Sequence, residues 1–482
     1  MTLIKDILRN LDVGSSVAEH DKLLENYFVE TEPFRAVVED RDDVVAGDKG
    51  TGKSALYRIL SMRYSKIDEL VDVEVVSAFN PVGMPIFQRL EEGDILNEVD
   101  YIKVWKSYFL ALAGNWILEF ADGDYTDQMN RLHTLLSEAH LRTTDDSPSG
   151  VFKKVISWIG SSLRVTNAEG SAKLGPAEIQ ARVEFAIDTG KANTSDLHHD
   201  EALRLLNEVL KEVPVKIWLT LDRLDEAFQS RPALEQPVLR ALFRAYLDMQ
   251  EFDHVRVKLF VRKDLFRRII ARGFVNLTHV NSRKIEIAWD DADLYSLLHK
   301  RLVENRSAMR SLDVDSTDPE TVFQALFPTQ VDQGNRKPNT WTWILGRIAD
   351  ANGVKPPRNL IDLIQKAREA QLRQEDREPR TYQKGVPLIT SDALKQGLVA
   401  LSEERVEDTL LAESGEFGEA IELFRGSKSE HNDATLKELL GENYLEKVKY
   451  LKLIGFLGAT GSSYKIPMLF RPGLSITQGR AY

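Results

Sequence analysis

Residues 41–60 read RDDVVAGDKGTGKSALYRIL, and within them Gly47-Asp48-Lys49-Gly50-Thr51-Gly52-Lys53-Ser54 fits the phosphate-binding pattern G-x-x-x-x-G-K-[ST]. The apolar run Val44-Val45-Ala46 reads as a strand entering the loop. Ala55, Leu56, Ile59 and Leu60 recur at helical spacing after it, so strand, loop and helix are predicted in that order. Gly47, Gly50 and Gly52 allow backbone conformations that a side chain would block. The N–H groups from Asp48, Lys49 and Thr51 through Ala55 can then wrap a phosphate chain at a helix N-terminus, where the dipole favours negative charge. Lys53 would reach the β- and γ-phosphates, and the Ser54 hydroxyl would hold Mg²⁺.

A second stretch completes the chemistry. Val215 to Leu221 (VKIWLTL) is an apolar run ending in Asp222, which fits a buried parallel strand with its acid at the carboxyl end, where open α/β sheets place ligands. Asp225 and Glu226 follow. A metal–nucleotide site needs one carboxylate for the metal shell and another to orient or deprotonate water. Asp222 is the metal candidate, and Glu226, with Asp225 as the alternative, is the candidate for the attacking water. A further strand, Val255 to Val261, leads into Arg262, a candidate sensor of the γ-phosphate. Arg267, Arg268, Arg272 and Arg283 follow and could supply an arginine in trans to a neighbouring subunit.

Composition bounds the alternatives. The chain has 482 residues, 43% hydrophobic and 29% charged, which is ordinary for a globular protein of two or three domains. A net charge of -12 gives no global attraction to nucleic acid or anionic membrane. Cysteine is absent, which excludes disulfides, thiolate metal sites and cysteine nucleophiles. Residues 1–11 are too short and too charged for a signal peptide, and no apolar run approaches the ~20 residues of a membrane span. A cytoplasmic protein without membrane contact is expected. The nine histidines are scattered and form no nuclease, protease or deaminase constellation.

The remaining pattern gives three domains. Residues 1–305 read as the nucleotide-binding domain, with short alternating pieces over 161–188 that suggest an inserted β-hairpin. Tyr27 and Phe28 bring aromatics near the loop strand, either beside a base or as plain core. Residues 306–372 read as a helical, lid-like domain, in which Gly353 to Arg358 form a sharp turn presenting Arg358 at a helix start. The polar stretch 371–387 reads as a linker. Residues 391–482 read as helices followed by a hairpin over 453–467, a winged-helix-like module of the kind that binds DNA or serves as a protein contact. Tyr444 to Tyr482 holds six Lys or Arg and one acid, whereas 391–443 is acidic, so DNA is not the favoured partner.

Taken together, these motifs resemble the bacterial AAA+/STAND-related P-loop ATPases and, more narrowly, the FunZ-like group. The residues that carry the likeness are Phe28-Val29-Glu30-Thr31, the phosphate loop, Asp222 to Glu226, the Arg262-Lys263-Asp264-Leu265-Phe266 strand end, and Trp289 ahead of Arg301-Leu302. Asp48 stands where the group often has a basic residue. The resemblance implies a P-loop NTPase with a mainly parallel sheet flanked by helices and ATP with Mg²⁺ as its ligands. It implies an ATP-driven switch, often a homo-oligomer acting on a protein effector and often part of antiviral defence. It also makes Arg358 similar to a second-sensor arginine that contacts nucleotide. A nucleotide-gated scaffold or DNA-binding regulator with little turnover is the competing expectation.

Overall fold

The computed structural model describes residues 2–79, 97–143, 198–224, 232–270, 273–412 and 414–482, together with Val151 and Val155. The 161–188 hairpin, Asp225, Glu226 and Arg272 therefore lie outside the described residues. The chain forms two compact units, one of Glu32–Gly47 and Leu56–Glu286, the other of Met1–Thr31, Asp48–Ala55 and Ile287–Tyr482.

In the first unit five strands form one sheet: β1 (Val44–Gly47), β2 (Val73–Phe79), β3 (Lys216–Leu221), β4 (Val255–Arg262) and β5 (Lys284–Glu286). Their order is β2-β3-β4-β1-β5 and every neighbouring pair is parallel. β4 thus separates the loop strand β1 from the acidic strand β3. Residues Val44 to Gly47 are buried throughout, as are Ile217 to Leu221, which explains why both strands read as continuous apolar runs. Gly47 stands opposite Arg262, so β1 and β4 end level, whereas Leu221 at the end of the parallel β3 pairs with Leu259 and stands level with Val44, three positions short of Gly47. Helix Glu98–Phe120, capped by the Asn97 side chain on the Asp100 N–H, packs against helices His199–Glu212 and Pro232–Met249. Its Trp105, Tyr108 and Phe109 are core, and the Trp105 indole donates to the Val238 carbonyl at 3.0 Å.

The opposite edge of this sheet is tied by charge. Asp43, just before β1, is 2% exposed and accepts from Lys258 on β4 at 2.8 Å and from Arg283, just before β5, at 2.5 Å. Asp40 receives a second bond from each cation. Burial opposes charge on Asp43, but Lys258 and Arg283 overcome it and hold the carboxyl below the usual range.

The second unit is helical with a small sheet. Helix Ile4–Arg9 docks on helix Pro357–Arg377, which pairs along its length with Ser391–Arg405. Gly397 is required there, because a Cβ would lie 2.7 Å from the Ala367 nitrogen. Leu294, Leu297, Leu298 and Leu302, on helix Asp291–Val303, share this core. Residues 287–305 thus belong with the helices that follow them.

The stretch 371–387 is no free linker. The helix continues to Arg377, and Gln371 and Glu375 are each 1% exposed. Gln371 donates to Glu375, Arg380 donates to Glu375 at 2.7 Å, and the Gln371 carbonyl oxygen accepts from the Thr390 N–H. The polar residues are there to satisfy one another.

Beyond them, β6 (Lys428–Asn432), β7 (Gly458–Thr460), β8 (Ser463–Lys465) and β9 (Thr477–Arg480) form a sheet in the order β7-β8-β6-β9. Helices Asp433–Leu440 and Tyr444–Leu453 lie between β6 and β7 in the chain, and β7 and β8 form an antiparallel hairpin.

Candidate nucleotide-binding site

β1 ends at Gly47, and the chain turns through 48–52 into helix Lys53–Arg63. Gly50 has φ +77° and Gly52 φ +101°, left-handed conformations that a side chain would strain. The loop is closed by its own bonds. Both the Thr51 N–H and hydroxyl donate to the Asp48 carbonyl, at 3.3 and 2.8 Å, and Lys53 Nζ donates to the same oxygen at 2.9 Å. The lysine ammonium is therefore folded across the loop, and the helix N-terminus beside it carries the N–H groups that no turn of helix can satisfy.

Two residues distant in sequence hold the loop. The Trp289 indole N–H donates to the Thr51 carbonyl at 2.8 Å, with its ring 4.0 Å from where a Gly52 Cβ would stand. The Arg358 N–H donates to the Gly50 carbonyl at 3.4 Å, and its Cβ would be 3.0 Å from a Cβ on Gly50. Arg358, on the first turn of helix Pro357–Arg377, is thus brought to the loop. Beneath it Arg405 donates to Asn359 at 2.8 Å and pairs with Asp362. Burial and the neighbouring Arg358 push the Arg405 guanidinium down to about 10.

On the sheet, Asp222 follows β3 directly and is 2% exposed, and Arg223 after it has φ +56°, a conformation rare for a side-chain-bearing residue. Tyr57, from the loop helix, meets Ser77 through its hydroxyl and sets its ring edge on Phe260 at 5.6 Å. Burial raises the Tyr57 hydroxyl pKa, and the Asp222 charge adds to that rise. The tyrosine is therefore a neutral neighbour of Asp222.

Arg262 stands level with Gly47, but its guanidinium makes a two-pronged pair with Asp264, at 3.0 Å on each side. Burial disfavours charge on Asp264, yet Arg262 overcomes it and keeps the carboxyl ionised below its usual range. Of the other arginines, Arg267 is exposed and Arg268 pairs with Glu235 at 3.2 Å. Arg283 does not fit a reach to a neighbouring subunit: it is spent on Asp43 and Asp40 at the far edge of the sheet.

Tyr27 is buried, bonded to Asp21, with the Arg301 guanidinium 4.2 Å above its ring, so in this structure it is core.

The roles of Trp289 and Asp350 were not read from the sequence. The Asp350 carboxylate accepts the N–H groups of Asn352 and Val354, each at 2.9 Å, and so shapes the loop that delivers Arg358. Burial pushes its pKa up to about 6, with the Asp48 charge adding to the rise. Asp350-Ala351-Asn352-Gly353 has the composition of an Asx-type turn, and that was the available signal.

Among the described residues no cluster of three or more His, Asp or Glu could hold a metal by itself. Mg²⁺ bound with nucleotide needs only one or two protein ligands, the rest being phosphate and water, and the Ser54 hydroxyl and the Asp222 carboxylate are each a donor type that it takes. The left-handed glycines, Lys53 and the helix start likewise suit a polyphosphate.

The parallel sheet with its flanking helices, and the G-x-x-x-x-G-K-S loop joining β1 to a helix, are those of a P-loop NTPase. No family model matches the chain. It is similar to the putative transposon gamma-delta 80.3 kDa protein of Escherichia coli (strain K12), at 24% identity over 306 residues, 60% of this chain. The aligned part is 39% of that protein's length, so the chain spans well under half of it. Among solved structures it is similar to the Walker-type ATPase PABY2304 of Pyrococcus abyssi, with a TM-score of 0.39, 14% identity and coverage of 96% and 98% of the two chains. The Aeropyrum pernix ORC2 protein in its ADPNP-ADP complexes gives 0.39, 12%, 94% and 96%. The ORC1 protein of the same organism in complex with DNA gives 0.37, 12%, 96% and 96%. Superposition at this level leaves the assignment to the sheet and the loop themselves. No helix among the described residues is long and apolar enough to cross a membrane.

Proposed function

We propose that this chain binds ATP with Mg²⁺ and hydrolyses it as a molecular switch of the AAA+/STAND-related kind. The observation that carries the reading is the glycine-framed loop with Lys53 folded across it and Arg358 resting on Gly50. Lys53 and the loop N–H groups bind the β- and γ-phosphates. Ser54 and Asp222 would hold the metal, which would offset charge on the phosphate oxygens. Glu226, or Asp225, orients water for in-line attack. Arg262 reports the γ-phosphate by exchanging Asp264 for it, and Arg358 adds a second cation. The FunZ-like grouping and a place in antiviral defence rest on the sequence resemblance alone.

Glu226→Gln is expected to leave ATP affinity unchanged and to slow hydrolysis about 10²-fold, because an amide accepts no proton from water. Unchanged turnover, with Asp225→Asn inactive, would transfer the role to Asp225. Because this variant retains ATP, light scattering on it also tests assembly. A larger particle with ATP supports a homo-oligomer in which Arg267, Arg268 or Arg272 is the trans-acting arginine. A parent that hydrolyses at full rate as a monomer overturns that assembly.

A second reading concerns the β6–β9 module. Two helices between β6 and β7, followed by the β7–β8 hairpin, follow the order of a winged helix, and Lys449, Lys452, Lys465 and Arg480 are exposed on it. If the module binds DNA, Lys449→Glu with Lys452→Glu should weaken duplex binding and flatten its salt dependence by about two phosphate contacts. Anisotropy of a labelled duplex checks this; equal affinity in parent and variant leaves a protein contact as the reading.

A further inference from the structure

The loop between helices Thr340–Ile348 and Pro357–Arg377 touches two parts of its unit at once. At one end Pro356 and Arg358 lie against Gly50 of the phosphate loop. At the other, Asp350 to Asn352 meet the turn that follows helix Tyr444–Leu453. The Ala351 N–H donates to the Gly455 carbonyl at 2.8 Å and Asn352 Nδ2 to the Leu453 carbonyl at 3.3 Å. Gly455 ends its helix at φ +75°, and a Cβ there would stand 2.7 Å from Asp350 Cγ. One Asp350 oxygen bonds the Asn352 and Val354 N–H groups, while the other faces Gly455.

We propose that Asp350 and Gly455 are positioning residues for Arg358, through which the β6–β9 module sets the conformation of the phosphate-binding loop. This rests on the reading of that loop as the ATP site. The short path between the two contacts transmits movement because little in it yields. Asp350 closes the turn, Lys355 pairs with Asp291 at 2.5 Å, and Pro356-Pro357 fix two successive φ angles before the helix begins. A shift of the 453–458 turn, such as a ligand on the module would cause, must therefore move the turn at Asp350 and with it the backbone that meets Gly50. Reciprocity requires that ATP at the loop alter the module's affinity for its own partner by the same factor.

The test uses the full chain and steady-state ATP hydrolysis. Gly455→Ala forces a methyl onto Asp350, and Asp350→Ala removes the carboxylate from both contacts. Each is expected to lower kcat/KM for ATP between roughly 2- and 30-fold. Asp350→Asn, which keeps an accepting oxygen, should restore most of the loss. Gly441→Ala serves as the control: that glycine also ends a helix at positive φ, +69°, with nothing within 4 Å, so it shares the backbone strain without touching the relay. Combined with Arg358→Ala, the Gly455 substitution should add nothing further.

If Gly455→Ala costs the same factor with and without Arg358, or if neither Gly455→Ala nor Asp350→Ala changes kcat/KM, the proposal is overturned. Should Gly455→Ala fail to fold in a thermal melt, Asp350→Ala with its asparagine rescue decides alone. A parent that shows no ATP binding by calorimetry removes the ATP reading and the relay together. A parent that binds ATP while the paired variants add independently removes only the relay.

Discussion

Lys53→Ala is expected to raise the dissociation constant for ATP by about 10³-fold, roughly 4 kcal/mol, the scale for truncating one partner of a buried, hydrogen-bonded charge pair. In the structure Lys53 Nζ donates to the Asp48 carbonyl, which lays its charge over the loop. A phosphate chain offers the ammonium anionic oxygens, and bonds between two charged groups are stronger than those to a neutral carbonyl. Alanine removes that gain and leaves the phosphate charge facing only backbone dipoles. Fold stability should change little, because the lost bond to Asp48 is partly exposed and contributes about 1 kcal/mol. Calorimetry with ATP and Mg²⁺ gives the affinity, and a thermal melt confirms the fold. Equal affinity in parent and variant removes the phosphate assignment.

What the sequence shows well is local. β1, β3 and β4 are buried on both faces, so their residues form unbroken apolar runs that no amphipathic helix would produce. The phosphate loop is legible for a related reason: Gly50 and Gly52 both need positive φ, and the lysine must follow at fixed spacing. A single-residue reading also singled out Arg358 at its helix start, although the distance to Gly50 spans more than three hundred residues of sequence.

What it hides is pairing across the chain. Arg283 looked like any arginine after a strand, yet its partner Asp43 lies 240 positions away and nothing local to either residue marks the pair. Arg262 at its strand end reads as facing a phosphate, and the acid that pairs with it, Asp264, is two residues on. Composition alone does not separate a helix-start carboxylate that faces solvent from one that clamps a guanidinium. The stretch 371–387 has the residue content of a linker because buried polar groups that satisfy one another are, residue by residue, the same as solvated ones. Trp289 stood out only as a motif position; its bond to Thr51 needs the tertiary fold to bring residue 289 back to the loop.

Asp43→Asn is expected to destabilise the chain by about 3–5 kcal/mol, the cost of removing one partner from a buried ion pair. Lys258 is wholly buried and Asp43 nearly so. Arg283 donates to both Asp43 oxygens; one of them also accepts from Lys258 and the other, at 3.1 Å, from the Tyr246 hydroxyl. An asparagine of the same shape must turn an N–H₂ toward one of these donors, and it leaves two cations to share the partly exposed Asp40. Asp43 has a depressed pKa, so its contribution is complete above the ordinary carboxylate range and is lost as pH falls through its lower folded value. The difference between parent and variant should therefore be constant from about pH 6 to 8 and shrink below about pH 4. Adding Lys258→Met to Asp43→Asn removes the stranded ammonium and should recover part of the loss, since a well-packed apolar side chain can replace a buried ion. Urea denaturation across this pH range measures all three chains. A single variant within 1 kcal/mol of the parent at pH 7 would mean that Asp40 alone neutralises both cations, and the edge of the sheet behind β1 would then owe its stability to packing.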